Sequence, residues 1–194
     1  MIIDIPKIFE GQVVTILGGG YSLKDFDWSR VKGKTVAVNL SVFNYPDADI
    51  CVGLDSGFFE RYEFFKSYNG ILITDRGDPN YLYPGATMLK YEGVAWTNGD
   101  RDIDWHCQSA NLGGFVAVAL TFHLGAKKVY LLGYDGGYDT ISNHYYHNEK
   151  IASNVYEGLN WHYEYFKDYD VVNVGLGSRI PYFKKVDINS NFYE

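Results

Sequence analysis

The sequence predicts an α/β fold with a doubly wound, mostly parallel sheet, and two features of the chain lead to this prediction. Short runs rich in β-branched residues, bounded by turn residues, alternate with longer segments along most of the 194 residues. One longer segment, residues 111–124 (NLGGFVAVALTFHL), is apolar almost all round, which is typical of a helix buried against a sheet. Such alternation favours parallel strands joined by crossovers. We expect a single domain over residues 1–194, because this length supports one sizeable core.

The expected sheet consists of seven short strands. Each is a run rich in Val, Ile, Leu or Thr that is bounded by turn residues. The predicted strands cover residues 12–17, 34–40, 48–54, 71–74, 86–91, 129–133 and 171–174. We expect the last of these to be the final strand of the chain.

Three helices and one irregular region fill the intervening sequence. Helices are predicted at residues 56–68, at 111–124 with Gly125 as the C-cap, and as an amphipathic helix at 152–167. Residues 75–105 contain prolines and glycines together with Trp and Tyr. We interpret this region as an insertion or lid and not as a linker, because its aromatic content is too high for a disordered tether.

Composition and charge exclude several function classes. The net charge of −7 argues against a nucleic-acid polymer as partner, because neutralising its phosphates needs an excess of Lys and Arg. A single nucleotide remains compatible, since backbone N–H groups and helix dipoles can supply positive potential locally. The sequence lacks a secretory signal peptide and any apolar run of roughly 20 residues, so we expect a cytoplasmic protein. Cys51 and Cys107 are expected to be free thiols.

The predicted topology indicates where a ligand would bind. In a doubly wound sheet the ligand crevice lies outside the carboxyl ends of the strands. The polar residues that follow the predicted strands are mostly small, hydroxyl-bearing or Asx residues, which suits a nucleoside or sugar whose phosphates are held mainly by backbone. The candidates are Gly18, Gly19, Gly20, Ser22, Asn39, Asp55, Asp135 and Ser178.

The glycine stretch in TILGGGYSLKDFD (residues 15–27) has two interpretations. It is not a P-loop, because no Gly-Lys-Ser/Thr closes it, and it is not a dinucleotide fingerprint, because Leu23 does not complete the glycine spacing. Its N–H groups could meet a phosphate at a strand-to-helix turn. Alternatively, the glycines could serve a turn that needs positive φ.

Four segments, in order, resemble a Rossmann-like superfamily. They are LGGGYSLKDFDWSRV, AVNLSVF, GGFVAVALTFHLGAKKVYLLGYD and NHYYH. The superfamily includes bacterial lipooligosaccharide sialyltransferases, motility-associated flagellin-glycosylation proteins and archaeal-type hydroxymethylpterin diphosphokinases. The resemblance extends over residues 13–183 and implies a nucleotide-binding fold.

The resemblance implies a set of donor-binding residues. The sialyltransferase loop G-N-G-P-S-L is matched at Gly18, Gly20, Ser22 and Leu23. Gly19 stands where that loop has its phosphate-contacting Asn, and Asn39 matches a donor-contacting amide after the second strand. Before the long helix, the family's Thr-Ser-Gly is replaced by Asn111, Leu112 and Gly113, which removes a hydroxyl contact.

The histidine segment implies the catalytic residues. The sialyltransferases have H-Y-x-G-H, whose second His is the general base, and this chain has His144-Tyr145-Tyr146-His147, which is one residue shorter. Either His147 or His144 could therefore be the base, and imidazole suits this role because its pKa lies near neutrality. Tyr138 and Tyr145 are implied to stabilise the departing phosphate. The alternative is a solvated loop without a catalytic role.

Three functions follow from these residues. The first is a glycosyltransferase that moves sugar from a CMP-linked or similar nucleotide donor to a glycan or other hydroxyl acceptor, without a metal or other cofactor. The second is a diphosphotransferase, which would need Mg²⁺ on carboxylates such as Asp55 or Asp135. The third is a nucleotide-binding module without turnover. Asp135 could also simply cap the turn that follows it.

Overall fold

A computed structural model describes residues 7–54, 58–74, 86–88, 96–97, 102–103, 113–137 and 159–194. The described strands are β1 (Val13–Leu17), β2 (Lys34–Val38), β3 (Ile50–Val52), β4 (Ile71–Thr74), β5 (Ala86–Met88), β6 (Trp96–Thr97), β7 (Asp102–Ile103), β8 (Lys128–Leu132), β9 (Val171–Val174) and β10 (Lys184–Val186). The α-helix of these ranges is α1 (Gly113–His123), and several short 3₁₀ helices accompany it.

Eight strands form one sheet in the order β10-β9-β8-β1-β2-β3-β4-β5. All of its neighbouring strands pair in parallel. The chain moves outward from β1 to β5 and then returns to β8 on the other side of β1, so the strand order reverses between β1 and β8. This is the doubly wound α/β fold that the sequence predicts, and the reversal point is where such sheets bind ligands.

The alternation of side chains along β1 places apolar residues on both faces of the sheet. Val14 and Ile16 pack with α1 in the largest hydrophobic cluster, together with Leu120 and Phe166. Leu17 points to the opposite cluster, which includes Leu23, Tyr130, Leu132 and Phe192. Strands covered on both faces need mostly apolar sequence, and β1, β3 and β8 are buried along nearly their whole length, with Thr15 as the polar residue inside β1.

The helix α1 confirms the prediction for residues 111–124 over its described part. Its buried residues lie on all sides, and Gly125 ends it with a φ of +97°. This left-handed conformation is the one that glycine adopts without steric penalty at a helix C-terminus. Among the described residues, no helix has both the length and the apolar character needed to cross a bilayer. Cys51 is a buried thiol outside any disulfide, and Cys107 lies outside the described residues.

The helix predicted at residues 56–68 is wrong over its described part. The chain forms two 3₁₀ helices, Phe59–Arg61 and Glu63–Lys66, and Tyr62 between them is extended at φ −127° and ψ 119°. Aromatic packing explains the break, because Phe59 and Phe65 meet edge to face with ring centroids 4.9 Å apart. Such tertiary contacts override weak helix propensity.

Four other element predictions also need correction. Residues 160–166 of the predicted helix 152–167 form a 3₁₀ helix (Asn160–Phe166), and residues 152–158 lie outside the described residues. The sequence analysis missed β10, whose Lys184 and Lys185 lack the apolar pattern of a buried strand. The second strand ends at Val38, because the following residue takes a positive φ. Within residues 75–105, β5 confirms the strand predicted at residues 86–91 over its described part, and the antiparallel pair of β6 and β7 was not predicted.

Candidate functional site

The backbones that leave β1 and β8 pack directly against each other at the switch point. The Gly18 N–H donates to Leu132 O at 2.7 Å, and the Gly20 N–H donates to Gly133 O at 2.9 Å. A Cβ atom would lie 2.7 Å from Gly133 O if built on Gly18, and 2.5 Å from it if built on Gly20. Glycine is therefore required here for close approach of two backbones. The positive-φ alternative is wrong for Gly20, whose φ is −61°.

Asp135 joins the two turns through its carboxylate. Its Oδ1 accepts a hydrogen bond from Ser22 Oγ at 2.6 Å, and its Oδ2 accepts one from the Ser22 N–H at 2.9 Å. The Asp135 carbonyl also accepts from the Arg179 N–H at 2.7 Å, which connects this turn to the segment after β9. Asp135 thus caps the 3₁₀ helix Tyr21–Leu23 after β1. We call Gly18, Gly20, Ser22, Gly133 and Asp135 the exit clasp.

Asn39 is the strained residue of this edge. It directly follows β2 and has a φ of +52°, a region that a non-glycine residue adopts at a steric cost. Its Oδ1 is buried and has no hydrogen-bond partner among the described residues. A polar atom left in this state is destabilising unless something else meets it. The contact between Asn39 and a donor, which the resemblance implies, stays a prediction.

The first turn of α1 lies beside Asn39. A Cβ on Gly113 would be 3.1 Å from Val38 Cγ1 and 3.8 Å from Asn39 Nδ2. A Cβ on Gly114 would be 3.0 Å from both the Tyr134 ring and the Tyr163 hydroxyl. The Gly-Gly pair therefore lets the N-terminus of α1 fit between the exits of β2 and β8. The first N–H groups of a helix have no intrahelical acceptor, so they favour an anion at this position.

Tyr134 fixes α1 to the exit of β8. Its hydroxyl donates to Gly114 O at 3.0 Å. Burial raises the pKa of Tyr134 well above its ordinary value, so the hydroxyl stays protonated and remains a donor. The sequence analysis did not single out Tyr134, although its position directly after a buried strand is the same signal that selected Asp135.

Ser178 supports the edge from inside. Its buried Oγ donates to Tyr134 O at 2.7 Å and accepts from Asn173 Nδ2 at 2.9 Å. Asn173 Nδ2 also donates to Tyr134 O at 2.9 Å. Asn173 is a fully buried amide in the middle of β9, and a polar residue inside the run VVNV is the signal that could have found it.

Six predicted site residues lie outside the described residues. They are Asp55, Asn111, Tyr138, His144, Tyr145 and His147. The described residues that flank residues 138–158 meet at the exit of β8, where Asn160 Nδ2 donates to Gly136 O at 2.5 Å. The segment that carries both candidate bases therefore begins and ends at the switch-point edge. Their roles remain predictions.

The described residues hold no cluster of three or more His, Cys, Asp or Glu side chains that could ligate a metal ion. Asp135, one of the two carboxylates considered for Mg²⁺, has both oxygens engaged with Ser22. His162 is buried at 4% exposure.

Comparison with solved structures identifies the fold. The sialyltransferase CstII from Campylobacter jejuni, in complex with cytidine-5'-monophosphate, matches with a TM-score of 0.61 over 94% of this chain and 86% of CstII, at 17% sequence identity. The chain has the fold of CstII. A CST-II structure with a trisaccharide acceptor and CMP matches with a TM-score of 0.58, over 89% of this chain and 85% of that chain, at 18% identity.

A third structure, of CstII with CMP-3FNeuAc, matches with a TM-score of 0.57, 17% identity, and coverage of 93% of this chain and 88% of that chain. These three solved structures are all sialyltransferases. They do not support the resemblance to the motility-associated proteins or to the pterin diphosphokinases. Comparison with protein-family models and with curated proteins finds no match.

Proposed function

We propose that this chain is a glycosyltransferase that takes sugar from a CMP-linked donor and transfers it to a hydroxyl acceptor. The observation that carries the proposal is Asn39, whose buried Oδ1 has no partner among the described residues. This amide lies beside the N-terminus of α1 at the switch point of a CstII-like sheet. A CMP-type ligand offers a phosphate for the helix N-terminus and polar atoms for the amide.

The exit clasp lies at the same switch point as the candidate donor site. The Gly18 N–H is bonded to Leu132 O and the Gly20 N–H to Gly133 O, so the loop is already held in place without a ligand. A rigid loop loses little conformational entropy on binding, which is the advantage of a preformed site. Donor binding through backbone and amide groups also explains how a chain of net charge −7 could hold a nucleotide.

The chemistry assigns the remaining roles to the segment between Gly137 and Leu159. His147, or His144 in its place, takes the proton of the acceptor hydroxyl as its oxygen forms a bond to the anomeric carbon of the donor. The bond from that carbon to the phosphate oxygen breaks, and CMP leaves with the electron pair. Tyr138 and Tyr145 donate hydrogen bonds to the departing phosphate, so this route needs no metal.

The first test is a thermal-shift comparison of CMP, CDP, UDP, GDP and ATP, each with and without Mg²⁺. A ligand at 100 times its dissociation constant stabilises the native state by about 2.7 kcal/mol, so CMP should raise the melting temperature without Mg²⁺. The variant Asn39→Asp should lose this shift, because it places a carboxylate where the phosphate binds. Asn44→Asp is the matched control, since it adds the same charge at an exposed position five residues further along.

Turnover distinguishes the three functions. Transfer from a CMP-sugar that persists in EDTA supports the glycosyltransferase. Stabilisation by ATP that requires Mg²⁺, without any CMP effect, replaces it with the diphosphotransferase. CMP binding with neither donor hydrolysis nor transfer leaves a nucleotide-binding module.

A further inference from the structure

Two large apolar side chains lie near the carboxyl end of β8. They are far more exposed than the other large hydrophobic residues of the described chain. Trp161 is 60% exposed and Leu176 is 64% exposed. The remaining exposed large hydrophobic residues of the described chain, which include Ile8, Phe43 and Ile71, reach only 39–41%. Single exposed apolar residues are ordinary on protein surfaces, but two at one edge of a candidate site call for an explanation.

The backbone contacts place both residues beside the turn that leaves β8. Asn160, the neighbour of Trp161, donates from Nδ2 to Gly136 O at 2.5 Å. Leu176 belongs to the turn that ends at Ser178, whose Oγ donates to Tyr134 O at 2.7 Å. Trp161 and Leu176 therefore border the candidate donor site on the side of β8 and β9.

The indole of Trp161 is supported on one side. It stacks on the ring of His162, with centroids 3.7 Å apart and an interplanar angle of 28°. His162 is buried, and its ring lies 6.0 Å from that of Phe115 in the first turn of α1. Burial lowers the pKa of His162, so this supporting ring is neutral at pH 7. An indole held in this way keeps a fixed orientation while most of its surface remains in water.

We propose that Trp161, backed by His162, is the platform on which the acceptor sugar stacks. This inference rests on the proposed glycosyltransferase function and assigns its acceptor side. The face of an aromatic ring carries partial negative charge, and one face of a pyranose presents polarised C–H groups to it. The amphipathic indole also tolerates water before the sugar arrives. The donor occupies the side of the switch point at Asn39, and the acceptor occupies the side at Trp161.

The test observes sugar binding directly on the full-length chain. Methyl β-galactopyranoside, methyl β-glucopyranoside and lactose are titrated with and without CMP and followed by saturation-transfer difference NMR. The Trp161→Ala variant should weaken binding of the preferred sugar roughly tenfold, and Trp161→Phe should retain most of it. Ile8→Ala is the matched control, because it removes an exposed apolar side chain before β1, at the opposite edge of the sheet.

The outcomes for the platform and for the proposed function are separate. If Trp161→Ala leaves sugar saturation unchanged, or if none of the three sugars binds the wild-type chain, the platform is wrong even where CMP binds. If the same variant weakens CMP and spares the sugar, Trp161 stacks on the nucleobase and the acceptor assignment is overturned. Failure of CMP to stabilise the wild-type chain contradicts the proposed function, whereas the sugar titration decides the platform without it.

Discussion

The two edges of the sheet differ in how the polar groups of their described residues are paired. At the amino edge, Asp49 directly precedes β3 and has its carboxylate fully engaged. Lys34 Nζ lies 2.6 Å from Asp49 Oδ1, and the Thr35 N–H donates to Oδ2 at 2.9 Å. The Tyr68 hydroxyl donates to Ala48 O at 2.5 Å beside them. This edge also has an open cleft of about 420 Å³, lined in part by Asp47, Asp49 and Tyr68.

Among the described residues, the strained one lies at the carboxyl edge. Its one carboxylate in the clasp, that of Asp135, accepts from Ser22 and belongs to the framework. Asn39 combines a positive φ with a buried Oδ1 that lacks a partner in the described chain. Strain and unsatisfied polar atoms are destabilising, and they concentrate where a protein meets a ligand. Among the described residues, the cleft thus lies at the edge where Asp49 is paired, and the strained Asn39 with its unpartnered Oδ1 lies at the edge of the candidate site.

The largest effect is expected for the proposed general base. His147→Ala should lower turnover by roughly 10²–10⁴-fold, the usual share of general base catalysis, with CMP affinity nearly unchanged. His144→Ala should have the smaller effect. Initial rates and CMP affinity of both variants are the measurement.

The matched control for the histidine variants lies at the amino edge. Tyr68→Phe removes the hydrogen bond to Ala48 O and should reduce stability by about 1 kcal/mol while turnover is preserved. Wild-type turnover in both histidine variants would remove the catalytic role of the segment. Equal loss of turnover in Tyr68→Phe would remove the distinction between the two edges.

The second prediction concerns Gly20 in the exit clasp. Gly20→Val should destabilise the native state by about 2–3 kcal/mol, because a Cβ there would lie 2.5 Å from Gly133 O and 2.6 Å from Asp135 Oδ2. Chemical denaturation measures this free energy. The glycine stretch by itself suggests that such a variant would affect nucleotide binding more than the fold, and the contacts reverse that order.

Gly177→Ala is the control for Gly20→Val. Gly177 lies at the same edge, has nothing within 4 Å of a built Cβ, and needs no left-handed conformation. Its substitution should change stability by less than about 1 kcal/mol. A Gly20→Val variant as stable as wild type would mean that the two turns are not closed on each other in solution.

The sequence predicts the location of the site better than its contacts. The sequence predicts the buried runs that form parallel strands, such as residues 71–74 and 171–174, whereas the switch point between β1 and β8 is read from the strand order of the structure. The packing of Gly20 on Gly133 and of Ser22 on Asp135 joins residues more than 110 positions apart. No local pattern encodes such pairs.

Local helix propensity also predicts the wrong secondary structure where side chains pack densely. The segment around Phe59 and Phe65 has helix-compatible residues, yet its aromatic rings pack in an arrangement that one regular helix cannot provide. The strand β10 was not predicted for the opposite reason. Its Lys184 is exposed and its other residues are only half-buried, so the sequence shows no apolar run there. An edge strand needs no continuous apolar run.

The smallest change in stability is expected for Asn39→Gly, and the direction of that change is the informative result. Glycine adopts a φ of +52° without strain and removes the buried Oδ1, which together favour the variant. The greater freedom of glycine in the unfolded chain opposes this gain by about 0.4–1 kcal/mol. The variant should therefore be at least as stable as wild type, within about 1 kcal/mol, while its CMP affinity falls roughly tenfold.

Opposite signs for stability and affinity are what separates a ligand-contacting amide from a structural one. Asn173→Gly provides the contrast, because the Asn173 amide is buried and donates to both Tyr134 O and Ser178 Oγ. Its loss should reduce stability by about 2–3 kcal/mol, since it removes two buried hydrogen bonds and places a glycine inside β9. Denaturation midpoints and CMP titrations of the two variants give the comparison directly. If Asn39→Gly instead loses stability and keeps CMP affinity, the amide of Asn39 serves the fold, and the contrast between the two edges no longer indicates where the ligand binds.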